Sequence, residues 1–148
     1  MSTPREKARV LFVCTGNSCR SQMAEGFLRH LFGDRYEPHS AGLAPSLVQP
    51  RAIAVMREVG VDIGGHTSKS VEPYLTMPLD YVITVCDHAN ESCPVFTGTV
   101  AHRLHWSFED PVRATGTEDA ILAKYREVRD LIKHRINGFF PSTEEREG

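Results

Sequence analysis

The order of hydrophobic and polar positions along the chain predicts strands that alternate with helices. Residues 8–13, ARVLFV, form an uninterrupted apolar run rich in β-branched side chains, which is typical of a strand buried on both faces. Residues 21–32 repeat their apolar positions at helical spacing and end at Gly33, which predicts a helix. The segment CTGNSCR joins the two, so the chain begins as strand, loop and helix.

The same criteria apply to the rest of the chain. Residues 38–47 contain a glycine and two prolines, which predicts a loop preceded by at most a short strand. Further along, the pattern predicts helices at 50–59 and 119–137, each followed by a glycine, and strands at 81–85 and 100–105.

Alternating strands and helices predict an α/β fold with a central parallel sheet of about four strands and helices on both faces. We expect residues 1–148 to form a single domain. Ligands of such sheets bind where the strands end and the loops begin. Cys14 and Cys86 each stand at the carboxyl end of a predicted strand, so we expect both cysteines at one functional edge.

Composition narrows the class of protein. A chain of 148 residues with 41% hydrophobic content can bury one core without disulfide or metal support. The formal net charge is −2 and the 17 basic residues are scattered, which argues against nucleic acid or an anionic membrane as a partner. No segment approaches the roughly 20 apolar residues that a membrane span needs, and no signal peptide is evident. We therefore expect a soluble, cytoplasmic protein. Among oligomeric states we favour a monomer.

The loop after the first strand has the features of an oxyanion site. Small residues allow successive backbone N–H groups to turn inward, and the following helix adds the positive end of its dipole. Arg20 adds a planar fork that can bind two oxyanion oxygens, and the same positive field favours the nucleophilic thiolate of Cys14. Ser21 can donate a hydrogen bond to that thiolate. The predicted loop comprises Thr15, Gly16, Asn17, Ser18, Cys19, Arg20 and Ser21. The competing interpretation is a buried structural cysteine beside a surface arginine, and we interpret Cys19 itself as structural.

Five segments together resemble the low-molecular-weight protein tyrosine phosphatase superfamily, and within it the thioredoxin-coupled arsenate reductases. They are VLFVCTGNSCRSQMAEG, HSAGL, GHTSKS, YVITVCD and HWSFEDP, and the resemblance extends over nearly the whole chain. It implies the phosphatase-like fold and the reduction of arsenate to arsenite. Hydrolysis of phosphate monoesters through a Cys14 phosphoenzyme is the alternative activity.

The resemblance also implies the acid that protonates the leaving oxygen. In this superfamily the acid precedes a proline, which selects Asp110 over Glu109. The phosphatases commonly continue with two tyrosines, whereas this chain continues with Val112 and Arg113. This difference favours the reductase.

A pair of later cysteines is the stronger distinction, because a two-electron reduction needs thiols that hydrolysis does not. The resemblance implies that Cys14 attacks arsenate, that Cys86 then attacks Cys14, and that Cys93 resolves the resulting disulfide. Thioredoxin or another external thiol donor would reduce the final Cys86–Cys93 disulfide, and no further cofactor is implied. If residues 87–93 were helical, the two Cα atoms would lie about 10 Å apart, whereas a disulfide needs about 5.5 to 6 Å. We therefore predict that this segment rearranges on oxidation.

Two other functions use the same residue types. A metal site could draw on Cys86, His88, Cys93 and His105, although their spacing matches no common zinc pattern, and we predict no metal. A redox or arsenite sensor would use three thiols but would need neither Arg20 nor Asp110.

Residues around the loop are predicted to support it. By resemblance, Asn17 and Ser21 join Ser40 and His66 in a hydrogen-bond network, although a surface histidine with satisfied bonds is an equal interpretation of His66. Some relatives bind potassium at positions equivalent to Asn17, Glu25, Ser40 and Thr67. These relatives carry an acidic residue where this chain has Lys69, so we predict no potassium dependence. We expect the single tryptophan, Trp106, to lie in the core.

Overall fold

The computed structural model describes residues 7–87 and 96–140. Four strands and three α-helices follow one another along the chain: β1 (Ala8–Cys14), α1 (Arg20–Phe32), β2 (Tyr36–Gly42), α2 (Pro50–Glu58), β3 (Leu79–Thr84), β4 (Val100–His105) and α3 (Glu118–Phe139). Two short 3-10 helices lie at Glu72–Thr76 and Pro111–Arg113. Among the described residues, no helix is both long and apolar enough to cross a membrane.

The four strands form one parallel sheet in the order β2-β1-β3-β4. The predicted α/β fold with a central four-stranded parallel sheet is therefore confirmed. β1 is an inner strand and contributes alternate side chains to both faces, which explains its continuous apolar run. Val10 and Phe12 pack into the cluster that the three α-helices cover. Leu11 and Val13 pack into a smaller cluster that includes Tyr74 of the first 3-10 helix.

The strand β2 is longer than the sequence predicts. Residues 38–42, predicted as loop, continue the strand and pair with β1 as far as the contact between Gly42 and Cys14. Pro38 is tolerated because β2 is an edge strand, where a residue without an N–H group need not interrupt the sheet. The remaining part of the predicted loop, residues 43–47, is irregular as expected.

The last helix also passes the residue expected to end it. α3 continues through Gly138 to Phe139, because the aromatic rings at its end are held by packing. Phe139 and Phe140 both make edge-on contacts with Trp106. Trp106 is itself buried, as predicted, and the guanidinium of Arg135 lies 5.2 Å from its ring centre.

The parallel sheet brings the carboxyl ends of the inner strands to one edge. The Val85 N–H donates to the Val13 carbonyl at 3.0 Å, so residues 85 and 86 follow β3 directly beside the end of β1. The Trp106 N–H donates to the Thr84 carbonyl at 2.8 Å, which brings the segment after β4 to the same edge. One edge of the sheet therefore carries Cys14, Cys86 and the start of the segment that leads to Asp110, as the element order predicts.

Candidate active site

The loop between β1 and α1 curls over a neighbouring backbone segment. The N–H groups of Ala44, Ser46 and Gln49 donate to the carbonyls of Thr15, Gly16 and Ser18 at 2.9, 3.2 and 2.9 Å. These carbonyls therefore point toward residues 44–49. In a trans peptide the N–H points opposite to the carbonyl, so the N–H groups that follow point away from that segment.

Two residues show how tightly the loop is wound. Asn17 has a φ of 49°, the one positive φ among the described non-glycine residues. Asparagine tolerates this left-handed conformation better than most side chains. Gly42, at the end of β2, lies directly beneath the loop. A Cβ atom there would lie 2.5 Å from the Thr15 carbonyl oxygen and 2.9 Å from the Asn17 nitrogen, so only glycine fits.

The sulfur of Cys14 lies 2.9 Å from the Ser21 hydroxyl oxygen, and both groups are buried. The Asn17 side-chain N–H donates to the same hydroxyl oxygen at 2.9 Å. Because that oxygen already accepts from Asn17, the hydroxyl hydrogen is available to Cys14. Ser21 is thus placed to donate to the Cys14 sulfur, as the sequence predicts.

Arg20 and Asp110 lie next to each other in the lining of one small cavity. The Arg20 guanidinium lies 3.5 Å from one Asp110 carboxylate oxygen and donates to the Phe108 carbonyl at 3.1 Å. The other Asp110 oxygen accepts from the Val112 N–H at 3.0 Å, which caps the short 3-10 helix Pro111–Arg113. This cap fixes the carboxylate toward Arg20. Glu109 points elsewhere, since Lys124 on α3 holds it at 3.1 Å.

The cavity has a volume of about 380 Å³, and most residues of the predicted oxyanion loop line it. It is lined by Cys14, Thr15, Gly16, Ser18, Cys19, Arg20, Asp110 and Val112. Cys14 is almost completely buried, so a reactant reaches its sulfur through this cavity. Apart from the carboxylate of Asp110, the lining offers small side chains, backbone and a guanidinium, which suit a compact anion rather than a large substrate.

Cys19 differs from Cys14 in its surroundings. Burial raises the pKa of the Cys19 thiol well above its usual value, and the negative charge of Asp110 raises it further. Cys19 therefore stays a protonated thiol at neutral pH, which agrees with the structural role expected for it.

A second network supports the loop from below. Ser40 donates to one oxygen of Glu25 at 2.6 Å, and Arg29 donates to the other at 2.7 Å. Burial alone would raise the pKa of Glu25, but these two hydrogen bonds, together with the charge of Lys69, lower it. Glu25 is therefore a buried carboxylate that remains charged at neutral pH.

His66 joins this network as a neutral ring. Its Nδ1 lies 2.9 Å from the Gln22 side-chain oxygen and must donate to it, whereas Arg29 donates to its Nε2 at 3.1 Å. Burial, the largest cause, lowers the pKa of His66, and the charges of Arg29 and Lys69 add to this against that of Glu25. The hydrogen bonds and the pKa thus both describe the uncharged form.

Gln22 is the residue that sequence reasoning missed. Its side-chain amide lies within 3.1 Å of both oxygens of Asn17 and of the Thr67 carbonyl. Gln22 follows Ser21 in the first turn of α1, but its partners Thr67 and His66 lie more than 40 residues away along the chain. Its position directly after Ser21 could have indicated a residue near the loop, but its partners are brought to it only by the fold.

Lys69 occupies the region where the resemblance implies potassium in some relatives. Its ammonium donates to the Thr67 carbonyl at 2.9 Å and lies 3.8 Å from the Glu25 carboxylate. Its backbone N–H donates to the Asn17 side-chain oxygen at 2.7 Å. A protein ammonium group thus lies between the oxygen atoms that a cation would need.

The remaining predicted residues are only partly described. Cys86 is buried and disulfide-bonded, whereas Cys14 and Cys19 carry free thiols. Cys93, His88 and most of the segment 87–93 lie outside the described residues, so the relay, the rearrangement and the alternative metal site stay predictions. Within residues 7–87 and 96–140, no three metal-ligating side chains converge.

Fold and site together define a class of protein. The parallel α/β domain places a cysteine, a tightly wound loop and an arginine at the end of its first strand. The sequence matches the family described as low molecular weight phosphotyrosine protein phosphatase. The match covers residues 9–147. The chain therefore belongs to this family.

The similar proteins are more specific than the family. An arsenate reductase of Halalkalibacterium halodurans is 44% identical over 133 residues, which is 90% of this chain and 95% of the relative. A solved structure of an arsenate reductase in the phosphate binding state has a TM-score of 0.75 and 39% identity, and covers 88% of this chain and 95% of its own. The thioredoxin-dependent arsenate reductase of Corynebacterium glutamicum has a TM-score of 0.61 and 27% identity, over 92% of this chain and 63% of its own.

Proposed function

We propose that this chain reduces arsenate to arsenite, with Cys14 as nucleophile, Arg20 as oxyanion ligand and Asp110 as acid. The observation that carries the proposal is that these three residues line one small cavity at the carboxyl edge of the sheet. The relatives named arsenate reductase support the choice of arsenate among tetrahedral oxyanions.

The first step forms a bond between sulfur and arsenic. The Cys14 thiolate attacks arsenic(V) while Asp110 donates a proton to the leaving hydroxide, which departs as water. Arg20 and the N–H groups of the loop hold the negative oxygens of the adduct. The Ser21 hydroxyl favours the thiolate before the attack, because a hydrogen bond to the charged form stabilises it.

The second step transfers the electron pair. In the reduced protein, in which the disulfide of Cys86 has been opened, the Cys86 thiolate attacks the sulfur of Cys14, the sulfur–arsenic bond breaks, and arsenite leaves with the bonding electrons. Cys93 then attacks Cys86, which releases the Cys14 thiolate and leaves a Cys86–Cys93 disulfide. The burial of Cys86 at the same edge of the sheet as Cys14 supports the first exchange.

An external dithiol must supply the two electrons that close the cycle. We infer that thioredoxin is this donor, and the thioredoxin-dependent relative supports the inference. The proposed reaction requires no metal or organic cofactor, because arsenate, three thiols and the donor balance both atoms and electrons. Arsenate and dithiol give arsenite, disulfide and water.

Hydrolysis of phosphate monoesters is the second candidate function, and the family to which the chain belongs favours it. In that reaction the Cys14 thiolate would take the phosphoryl group from the ester while Asp110 protonates the leaving alcohol, and water would then hydrolyse the Cys14 phosphoenzyme. Val112 argues against phosphate ester hydrolysis as the main activity. This aliphatic side chain lines the cavity at a position where the resemblance to the phosphatases implies tyrosine. Without aromatic walls among its described lining, the cavity offers little contact to an aryl ester.

Arsenate-dependent NADPH consumption with thioredoxin and thioredoxin reductase tests the proposal. We expect the native chain to turn over continuously and Cys14→Ser, Cys86→Ser and Cys93→Ser each to lose sustained turnover. A single-turnover measurement of arsenite separates the steps. Cys93→Ser should release about one arsenite per chain, since it completes the first exchange, whereas Cys14→Ser should release none.

The competing outcome is equally definite. If the native chain consumes no NADPH with arsenate but hydrolyses an aryl phosphate in a Cys14-dependent manner, the phosphatase function is correct. If Cys93→Ser sustains native turnover with thioredoxin, the three-thiol relay is wrong even though arsenate is reduced.

A further inference from the structure

We propose that Gln22 is a positioning residue that directs the Ser21 hydroxyl toward Cys14 by holding Asn17 in place. Gln22 lies in the first turn of α1 and is completely buried. Its side chain turns toward the oxyanion loop and bonds to it. The proposal rests on the proposed function only in taking Cys14 as the reacting group.

The donor side of Gln22 holds both oxygens of Asn17. Its Nε2 lies 3.0 Å from the Asn17 Oδ1, 3.1 Å from the Asn17 carbonyl oxygen and 2.9 Å from the Thr67 carbonyl oxygen. The two N–H bonds of this amide are shared among the three acceptors, and they hold both the backbone and the side chain of the residue that has the unfavourable φ of 49°. The bond to Thr67 ties this arrangement to the segment after α2.

The orientation of the Asn17 amide decides what Ser21 can do. Gln22 and the Lys69 backbone N–H both donate to the Asn17 Oδ1, at 3.0 and 2.7 Å, so this atom must be the oxygen. The Asn17 Nδ2 is then the atom that faces the Ser21 hydroxyl. If the amide turned over, its oxygen would accept the hydroxyl hydrogen, and Cys14 would lose its donor.

The acceptor side of Gln22 is fixed in turn by His66. The ring Nδ1 donates to the Gln22 Oε1 at 2.9 Å. A chain of donors therefore runs in one direction, from His66 to Gln22, Asn17, Ser21 and finally the sulfur of Cys14. Hydrogen bonds aligned in this way polarise one another, so the chain favours negative charge on the sulfur at its end.

The rate of Cys14 alkylation by iodoacetamide, measured by peptide mass spectrometry, tests the proposal. The background is Cys86→Ser with Cys93→Ser, so that no other thiol exchanges with Cys14. We expect Gln22→Met, which has similar size and no amide group, to slow the alkylation about tenfold at neutral pH and to move the pH–rate profile toward higher pH. Gln49→Met is the matched control, because the hydrogen bond from Gln49 to the loop is donated by its backbone N–H, which the substitution keeps, and its profile should match that of the background.

A double variant separates positioning from general loosening of the loop. If Gln22 acts through Ser21, Gln22→Met should shift the profile little in a Ser21→Ala background, where no hydroxyl remains to direct. An equal shift in both backgrounds overturns the proposal. Gln22→Glu, which still accepts from His66 but as a carboxylate cannot donate to Asn17, should shift the profile as Gln22→Met does. It also serves if Gln22→Met fails to fold by circular dichroism.

The measurement uses no arsenate, so its outcome is independent of the reductase assay. If Cys14 reacts and the Gln22→Met profile equals that of the background, Gln22 has no positioning role, whatever the activity. If Cys19 rather than Cys14 is alkylated in the background protein, the nucleophile of the proposed function is wrong, and the proposal for Gln22 fails with it.

Discussion

At the scale of single residues, Lys69 determines whether the support network can bind a cation. Its ammonium already lies 3.8 Å from Glu25 and 2.9 Å from the Thr67 carbonyl oxygen. A potassium ion in the same place would meet a like charge at close range. The ammonium therefore acts as a tethered counterion for the buried carboxylate.

We predict that the rate of arsenate reduction is the same in potassium chloride and sodium chloride at equal ionic strength. Lys69→Met keeps the length of the side chain but removes its charge. Potassium should then bind beside Glu25 and raise the rate of arsenate reduction. Steady-state rates of both proteins in the two salts check this. A clear potassium activation of the native chain would show that the ammonium does not occupy the cation region in solution.

The sequence predicts single residues well where their chemistry is local. Cys14, Arg20 and Ser21 all lie within residues 14–21. The structure places Cys14 and Arg20 in the lining of one cavity and the Ser21 hydroxyl within hydrogen-bond distance of the Cys14 sulfur. Gln22 was missed because its function depends on Thr67 and His66, which α2 and its loop bring back to the site. Spacing along the chain carries no information about such partners.

At the scale of elements, β2 supports the loop through its last residue. Gly42 lies where a Cβ atom would meet backbone atoms of Cys14, Thr15 and Asn17 within 3 Å. Backbone cannot move aside as a flexible side chain can. The end of the strand therefore sets the floor on which the oxyanion loop rests.

We predict that Gly42→Ala lowers the free energy of unfolding by about 1–3 kcal/mol and weakens the binding of inorganic phosphate. Gly65→Ala is the matched control, since a Cβ atom there has no neighbour within 4 Å, and it should change stability by less than about 0.5 kcal/mol. Urea unfolding and calorimetric titration with phosphate provide the two measurements. Native phosphate affinity in Gly42→Ala would mean that the loop does not depend on this floor.

Elements were predictable where one pattern dominated. The apolar runs of β1 and β3 predicted strands, and the helical spacing of apolar residues predicted the three α-helices. The pattern predicts too short a β2 because a proline such as Pro38 breaks any inner strand. The edge location that tolerates it follows only from the strand order. The pattern ends α3 before Gly138, because the aromatic contacts that extend the helix come from Trp106 and Tyr81, which lie far away along the chain.

At the scale of the whole molecule, the site is built over a buried network that must hold particular charges. Glu25 must be ionised and His66 must be neutral for their hydrogen bonds to form. The folded state thus binds fewer protons at these two groups than the unfolded state does. The resemblance supplied the roles of the surrounding residues, but the protonation states follow only from burial and contacts in the fold.

The direction of the pH dependence follows from these two groups. The pKa of His66 is lowered by folding, so its contribution to stability is present above its unfolded pKa of about 6.5 and is lost as the pH falls through the folded value. The pKa of Glu25 is lowered as well, so its contribution is present above about 4.3 and is lost on further acidification. Both groups therefore make the protein less stable in acid, in two separate windows.

We predict that the free energy of unfolding, measured by urea titration, falls first below about pH 6.5 and again below about pH 4.3. His66→Gln, which keeps a donor for Gln22 but does not titrate, should flatten the upper window alone, whereas the exposed His30→Gln should leave it unchanged. Glu25→Gln should flatten the lower window and cost about 1–3 kcal/mol at pH 7, because Arg29 and Ser40 lose a charged acceptor. An upper window that survives in His66→Gln would assign the proton uptake to another group and would remove the argument that a neutral His66 begins the donor chain to Cys14.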